Sequence, residues 1–378
     1  MSPTLIILIT SCFTATAMGV ILLIIANNFP KNIRGLNEWG ISTLITALSI
    51  PLFMMRDHIP DAFSIVLANL MLLTGFMVMN LGTRRFSGSK AAYRRTLLAL
   101  FVLAFVALFL WFTYVQPQVA MRVAILSVFT LVVILDHLIF VLNKLPNTTG
   151  RNILIFSLSV LILSRILRLT GLALGIDQPA GILDPTISNI FFIALPSIML
   201  PLGTISFIML ASEKLQRDTE FNSRHDGLTQ CLNKKAAIEE LYREINRAKR
   251  HQNKLSVMLI DLDNFKSIND AHGHMVGDDI LVDFARQAHA SLRESDLLAR
   301  FGGDEFMTIL PDADQAQAIL VANRLHEAGK AGQPLAWSVS VGVAEWVDEE
   351  DSLARVLNRA DKALYQAKAA GRSQTQAL

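Results

Sequence analysis

Two hydrophobic rhythms divide the chain. Up to about residue 211 apolar positions follow one another without a polar face, in stretches of roughly 3–26, 38–55, 62–82, 96–115, 119–143, 152–175 and 186–211. A helix that crosses a bilayer needs about 20 mainly apolar residues, because no water in the bilayer core can satisfy its backbone. The pattern therefore predicts seven spanning helices. No Lys or Arg precedes Lys31, and the first apolar run is too long for the core of a signal peptide, so it reads as a retained helix.

Beyond about residue 218 the runs shorten and alternate in type. Asn233 to Arg250 reads as an amphipathic helix with Ile238, Leu241 and Ile245 on one face. Leu255 to Ile260 is a mainly apolar run of strand length, reading as a buried strand. Gly277 to Leu292 has helical spacing, and two short strands, Leu297 to Phe301 and Phe306 to Leu310, flank Gly302-Gly303. A Gly-Gly pair between strands predicts positive φ in a tight hairpin. Ala313 to Ala328 reads as a helix, Trp337 to Ala344 as a strand and Leu353 to Ala369 as a long helix. That order predicts an α/β layer fold on one sheet. Between the halves, no Gly or Pro interrupts the chain from Ala211 to Gly227, which predicts a helical connector. The expected domains are thus 1–211, 212–224 and 225–378.

Composition sharpens the division. Of 378 residues 52% are hydrophobic and 17% charged, with a mean hydropathy of +0.43. An average soluble domain is about 25% charged, so a disordered chain is excluded and an ordinary soluble enzyme disfavoured. The overall charge of +2 hides an asymmetry. Residues 1–210 hold 13 of the 34 Lys/Arg and 6 of the 32 Asp/Glu, which makes the first part basic and the remainder acidic. Basic residues also set the expected orientation. Lys31 and Arg34 follow the first stretch, Arg84, Arg85, Lys90, Arg94 and Arg95 the third, and Lys144 and Arg151 the fifth. The opposite loops hold Arg56 with Asp57 and Asp61, then Gln116-Pro117-Gln118, then Asp177 and Asp184, with Arg122 near the start of the fifth stretch. This predicts an N-terminus outside and a C-terminal domain in the cytoplasm, with membrane lipids around the first half. Cys12 and Cys231 belong to no CxxC or His cluster, so neither a disulfide framework nor a thiolate metal site is implied.

Four ionisable residues fall within the apolar stretches: Asp136, His137, Arg165 and Arg168. Charge at membrane depth is costly and often functional. One reading is a signal pocket in which Arg165 or Arg168 reaches Asp136 or an anionic ligand. The other is an interhelical ion pair with the outer arginines reaching for the interface. Neither names the ligand.

In the second half, Asp261 ends a strand and Asp304-Glu305 sit in the hairpin. Carboxylates so placed suit a hard cation that leaves room for phosphate oxygens. Lys266, Lys368 and Arg372 offer positive charge for a polyphosphate. The segment Arg300-Phe301-Gly302-Gly303-Asp304-Glu305-Phe306 resembles the signature of the GGDEF family of diguanylate cyclases. Asp226-Gly227-Leu228-Thr229, Asp261 to Asp270, Gly273 to Asp278, Ser340 to Ala344 and Ala360 to Lys368 resemble further segments of the same family, in order. The likeness covers about 160 residues, and no second catalytic module fits in the remaining chain.

The resemblance implies a nucleotidyl-cyclase-like domain with one mainly antiparallel sheet, joining two GTP into cyclic di-GMP with release of two pyrophosphates. It also implies two Mg²⁺ (or Mn²⁺) per active site, held by Asp261, the Leu262 carbonyl, Asp304 and Glu305. Asp304 would be the base for the attacking 3′-hydroxyl, and Lys266 would stabilise charge on the phosphoryl oxygens. Asn269, His274 and Asp278 would read guanine and ribose, Lys368 and Arg372 would hold the outer phosphates, and Gly302 and Gly303 would let backbone approach the nucleotide. Phosphoryl transfer is chiefly positioning and charge neutralisation, which agrees with that set. Because one domain holds one GTP, a homodimer with facing sites is implied. No nucleic-acid partner is expected.

Arg293-Glu294-Ser295-Asp296 stands where the family has an inhibitory product site, so Arg293 and Asp296 would grip cyclic di-GMP, with Arg324 a second-subunit contact. The bland alternative is a surface Arg–Asp pair. Lys234-Lys235 departs from the Arg usual in the family, keeping charge and losing bidentate geometry. Two other functions stay open: a catalytically silent GGDEF receptor, which intact Asp261, Asp304 and Glu305 disfavour, and a transporter or receptor merely regulated by its cytoplasmic domain.

Overall fold

The computed structural model describes residues 2–89, 95–179, 181, 184, 186–330, 336–347 and 351–378. Lys90, Arg94 and the side chain of Arg95, part of the expected basic loop, lie outside the described residues. The chain divides into two compact units, Met1–Gln216 and Arg217–Leu378.

The first unit is helical: α1 (Pro3–Asn28), α2 (Leu36–Met54), α3 (Ala68–Phe86), α4 (Arg95–Leu110), α5 (Val119–Lys144), α6 (Thr149–Ala173) and α7 (Ile187–Arg224). Single π-helical segments, Ala62–Leu67 and Trp111–Val115, adjoin α3 and α4. Ser2 caps α1, its hydroxyl accepting from the Leu5 N–H at 3.3 Å, with Pro3 in the first turn where its missing N–H costs nothing. Among the described residues six helices are long and apolar enough to cross a membrane, namely those within Pro3–Asn28, Ala62–Phe86, Thr96–Val115, Val119–Lys144, Thr149–Ala173 and Ile187–Arg224. The expected second span forms as α2 but is not one of the six. Its sequence carries Asn37, Glu38 and a run of hydroxyl residues that dilute its apolar content.

Those hydroxyls show how α2 can be buried all the same. Ser42 and Thr43 both donate to the Trp39 carbonyl, at 2.7 and 2.8 Å, and Thr46 donates to Ser42 O at 3.0 Å. Each polar group thus arrives already hydrogen-bonded. Small residues then let the backbones close in. A Cβ on Gly19 would lie 3.3 Å from the Gly40 carbonyl, and the reverse distance is the same, so α1 and α2 cross with little between them.

The second unit is a layered α/β fold: β1 (Leu232–Asn233), α8 (Lys234–His251), β2 (Leu255–Leu262), α9 (Phe265–His272), α10 (His274–Ser291), β3 (Leu297–Arg300), β4 (Glu305–Pro311), α11 (Gln315–Lys330), β5 (Val339–Glu345), α12 (Leu353–Ala369) and β6 (Thr375–Ala377). The strands form one sheet in the order β1-β3-β4-β2-β5-β6. Expected to be mainly antiparallel, the sheet is mixed: β3, β4, β2 and β5 pair antiparallel, and β1 and β6 add parallel strands at the two edges. Both edge strands are too short to leave a periodic signal in the sequence.

β2 is buried throughout, and largely apolar, because both of its faces are covered. Met258, Ile260 and Leu262 point to a core shared with Phe284 of α10 and Leu325 of α11. Leu255, Val257 and Leu259 point the other way, to Leu241 of α8 and Leu364 of α12. Gly342 of β5 has a steric role, since a Cβ there would sit 2.1 Å from the Ala360 carbonyl. Its absence seats α12 against the sheet.

Candidate active site

The site gathers at the end of β2 and the β3–β4 hairpin. Asp261 is opposite Glu305 on one side and Ser340 on the other, and the Leu262 N–H donates to the Asp304 carbonyl at 3.2 Å. Antiparallel pairing therefore delivers Asp261, Leu262, Asp304 and Glu305 to one edge. The hairpin is not made as expected. Neither Gly302 nor Gly303 has positive φ; instead the Phe301 and Gly302 N–H groups both donate to the Glu305 carbonyl, at 2.8 and 3.1 Å. At 302 a Cβ would lie 2.8 Å from a Glu305 carboxylate oxygen, so a larger residue there would displace that carboxylate. At 303 a Cβ would meet nothing within 4 Å, so backbone there faces open space.

Arg300 braces this turn from behind. Its Nε and Nη2 donate to the Gly303 carbonyl at 3.0 and 2.7 Å, and its Nη1 donates to Asp226 Oδ1 at 3.0 Å. Asp226 also accepts from the Thr229 N–H at 2.9 Å and the Thr229 hydroxyl at 2.8 Å. Burial pushes the Asp226 carboxyl up, but the bonds from Thr229 and Arg300 outweigh it and hold it below its ordinary range. Lys234 lies over the Phe301 ring, 4.5 Å from its centre, so the lysine standing in the usual Arg place still packs on the hairpin.

Lys368 reaches from the last turn of α12 and puts its ammonium 2.6 Å from Asp261 Oδ2. Burial raises the Asp261 carboxyl above its ordinary value, Lys368 pulls against that, and the charges of Asp304 and Glu305 reinforce it. Among the described residues no three His, Cys, Asp or Glu side chains converge on one point as a metal cage. The donor set nevertheless fits a hard cation: oxygen ligands only, mutually repelling, with a lysine ammonium already standing on one of them.

Asp263 is the positioning residue that sequence reasoning passed over. It is buried and accepts from the Ser340 hydroxyl at 2.7 Å, the Ser338 hydroxyl at 2.9 Å and the Ser373 N–H at 3.0 Å. That last bond ties the turn containing Arg372 to the end of β2, with Arg372 and Ser373 both at positive φ. Its only sequence signal was its place two residues after Asp261.

The nucleotide-reading candidates lie on α9 and α10. Asn269 Oδ1 is buried without a hydrogen-bond partner and fills the place where a Gly277 Cβ would stand, at 1.9 Å. His274 and Asp278 are exposed in the first turns of α10, and Lys266 is exposed at the start of α9. Arg293 and Asp296 form a small turn in which the Arg293 N–H donates to Asp296 Oδ2 at 2.8 Å and the Asp296 N–H to the Arg293 carbonyl at 3.0 Å. The Asp296 carboxylate thus caps backbone, and the Arg293 side chain is exposed, as is Arg324 on α11.

Residues 223–374, which hold all of these features, match the family model described as diguanylate cyclase, GGDEF domain. This segment is a GGDEF domain. The chain is similar to the probable diguanylate cyclase DgcC of Escherichia coli, 36% identical over 197 residues that cover 49% of this chain and 53% of that protein. It is also similar to the diguanylate cyclase TpbB of Pseudomonas aeruginosa, 39% identical over 153 residues, 39% of this chain and 35% of the other. It thus spans about half of the one relative and a third of the other. A solved GGDEF domain of DgcB from Caulobacter crescentus, in complex with c-di-GMP, is 31% identical, with 41% of this chain and 93% of that one covered and a TM-score of 0.38.

Proposed function

We propose that the GGDEF domain is a working diguanylate cyclase, joining two GTP into cyclic di-GMP in a dimer whose sites face each other. The observation that carries this is the intact set Asp261, Asp304 and Glu305 on paired strand ends, with Lys368 seated on Asp261. Each GTP 3′-oxygen bonds to the α-phosphorus of the other nucleotide, the α–β P–O bond breaks, and pyrophosphate leaves. Asp304 takes the 3′-hydroxyl proton. Lys266 meets charge on the phosphoryl oxygens, and Lys368 and Arg372 hold the outer phosphates, with Asp263 fixing the turn that carries Arg372. Asn269 reads guanine from α9, while His274 and Asp278 border the base and ribose. Charge neutralisation on the triphosphate is what Mg²⁺ or Mn²⁺ supplies when bound by Asp261, the Leu262 carbonyl, Asp304 and Glu305. Arg293 and Asp296, with Arg324 of a second copy, hold product as a feedback inhibitor.

The first unit sits in the bacterial inner membrane with its N-terminus outside and the GGDEF domain in the cytoplasm. The apolar helices support the membrane location, and the excess of Lys and Arg on alternate loops supports the orientation, which requires α2 to cross as well so that the crossings number seven. A reporter fused after Leu378 then reads cytoplasm and one inserted in 176–184 reads exterior; the opposite pair of signals would reverse the orientation.

Purified full-length protein given GTP and Mg²⁺ should form cyclic di-GMP, and Glu305→Ala should reduce the rate by at least ~10³-fold, on the scale of losing an electrostatic catalytic group, with an unchanged circular dichroism spectrum. GTP binding without product in the wild type would leave a nucleotide receptor in its place.

A further inference from the structure

The first unit holds a partly open cavity of about 180 Å³. Its walls are mainly apolar, from residues such as Ile65, Phe76, Phe109, Leu126 and Leu200, yet four arginines line it: Arg56, Arg122, Arg165 and Arg168. Three of these have acidic company. Arg168 pairs with Asp177, Nε to Oδ2 3.4 Å, and donates to Asn189 Oδ1 at 2.8 Å. Arg56 has Asp57 and Asp61 beside it, and Arg122 has Asp61.

Arg165 does not. It is 7% exposed, its Nε is buried without a hydrogen-bond partner, and the charge nearest it is that of Arg168. Asp136, the carboxylate that its depth in the chain suggested, is engaged elsewhere: Arg84 Nη2 donates to both of its oxygens, at 2.9 and 2.8 Å, and Asn80 to one at 2.7 Å. Among the described residues no carboxylate compensates Arg165. An isolated buried charge is expensive unless something pairs it. The cavity supplies the space beside it, and its apolar walls dictate what else the partner must bear.

We propose that this cavity binds a small organic anion with an apolar body, its carboxylate pairing with Arg165 and its hydrocarbon part filling the space between α3, α5 and α7. A cavity of roughly 150 Å³ lined by aliphatic and aromatic side chains holds a benzene-sized guest, so the occupant is an amphiphile of about that size or a little more. The partner is a diffusible anion. Inorganic phosphate would leave the apolar walls empty. The cavity is independent of the cyclase reading.

Full-length protein in phosphatidylcholine nanodiscs tests this by thermal unfolding with octanoate, octanol and octylamine. Octanoate should raise Tm saturably, as a ligand of the folded state does, and the neutral and cationic analogues should not. Arg165→Gln should weaken octanoate binding by about tenfold or more, the loss expected for a charge-assisted hydrogen bond. It should also raise the Tm of ligand-free protein, because an uncompensated buried charge is gone. Equal shifts from octanoate and octanol would overturn the proposal. So would a glutamine variant that binds octanoate as before, or one whose ligand-free Tm falls with binding intact, the mark of a merely architectural arginine. Should Arg165→Gln fail to fold, Leu126→Trp keeps the charge and fills the wall; octanoate must then lose its effect, and a persisting shift overturns the assignment. Nanodiscs containing phosphatidylglycerol separate the two sources of anion. Stabilisation by that lipid with no response to octanoate would make the occupant a lipid headgroup and end the diffusible-anion proposal.

Discussion

The buried hydroxyls of α2 in the N-terminal unit turn back onto their own helix, whereas the buried carboxylate of Asp263 in the C-terminal unit reaches across to distant strands and turns. Ser42, Thr43 and Thr46 of α2 bond carbonyls three or four residues away. Asp263 bonds residues 75, 77 and 110 positions away. The first arrangement satisfies polar atoms locally and leaves helix packing to shape, as at Gly19 and Gly40. The second makes polar bonds part of the tertiary structure, so the turns bearing functional groups are held by the same atoms that close the fold. Where the N-terminal unit does bury charge, at Arg168–Asp177 and at Arg165, that local pattern ends.

The sharpest test of the comparison is Asp263→Ala. It strands the N–H of Ser373, the half-buried Ser338 hydroxyl and the buried Ser340 hydroxyl, and each unsatisfied buried donor costs about 1–3 kcal/mol. Allowing for water that enters the gap, a loss of about 3 kcal/mol is expected in urea unfolding of the C-terminal domain. Amide exchange at residues 371–374 should quicken with it. A loss below 1 kcal/mol would mean the turn is held by α12 alone.

A smaller effect is expected at the product turn. Arg293→Ala should weaken inhibition by added cyclic di-GMP about tenfold or more, since bonds from a guanidinium to an anion are worth roughly 1.5–3 kcal/mol. Initial rates with fresh GTP should persist. Wild type and variant inhibited alike would reduce Arg293 and Asp296 to a surface turn, consistent with the Asp296 carboxylate capping backbone.

In the other unit, Asp136→Ala removes the partner of Arg84, but 44% of the Asp136 side chain is accessible. Exposed pairs contribute about 1 kcal/mol or less, so the Tm should fall by a few degrees only. A loss matching that of Asp263→Ala would break the contrast between the units.

The same contrast explains how far the sequence could be read. Helix periods and the mainly apolar β2 were legible because they are local, and α12 is found at the residues expected, Leu353–Ala369. β1 and β6, of two and three residues, exist only through pairing with distant strands. The charged motif residues announced the site, yet the pairing of Asp136 was unreadable: the sequence offered Arg165 or Arg168, and only packing of α3 on α5 selects Arg84. Positive φ at Gly302-Gly303 failed for a related reason, because bonds to the Glu305 carbonyl and the Arg300 brace build that turn.

The smallest effect expected is a titration within the C-terminal unit. Burial, with Asp304 and Glu305 nearby, holds the Asp261 carboxyl above its ordinary value of 3.8, with Lys368 opposing. A carboxylic acid whose folded pKa is raised binds its proton more tightly folded than unfolded. Its contribution to stability is therefore complete below 3.8 and is lost as pH rises through the higher folded value. Asp226 and Asp351 behave oppositely, being held low by hydrogen bonds and, for Asp351, by Arg359, so their contributions fade as pH falls. Total stability mixes these trends, and the difference between wild type and Asp261→Asn isolates the first. In urea unfolding without divalent cation, wild type should lose ground against the variant as pH rises from about 3.5 to 7, the range over which a raised carboxyl ionises. Mg²⁺ at neutral pH should return that ground to wild type alone, because the amide offers no charge to a cation. A difference that grows in favour of wild type with rising pH would mean that Lys368 outweighs burial and that Asp261 is simply the anionic half of an ion pair.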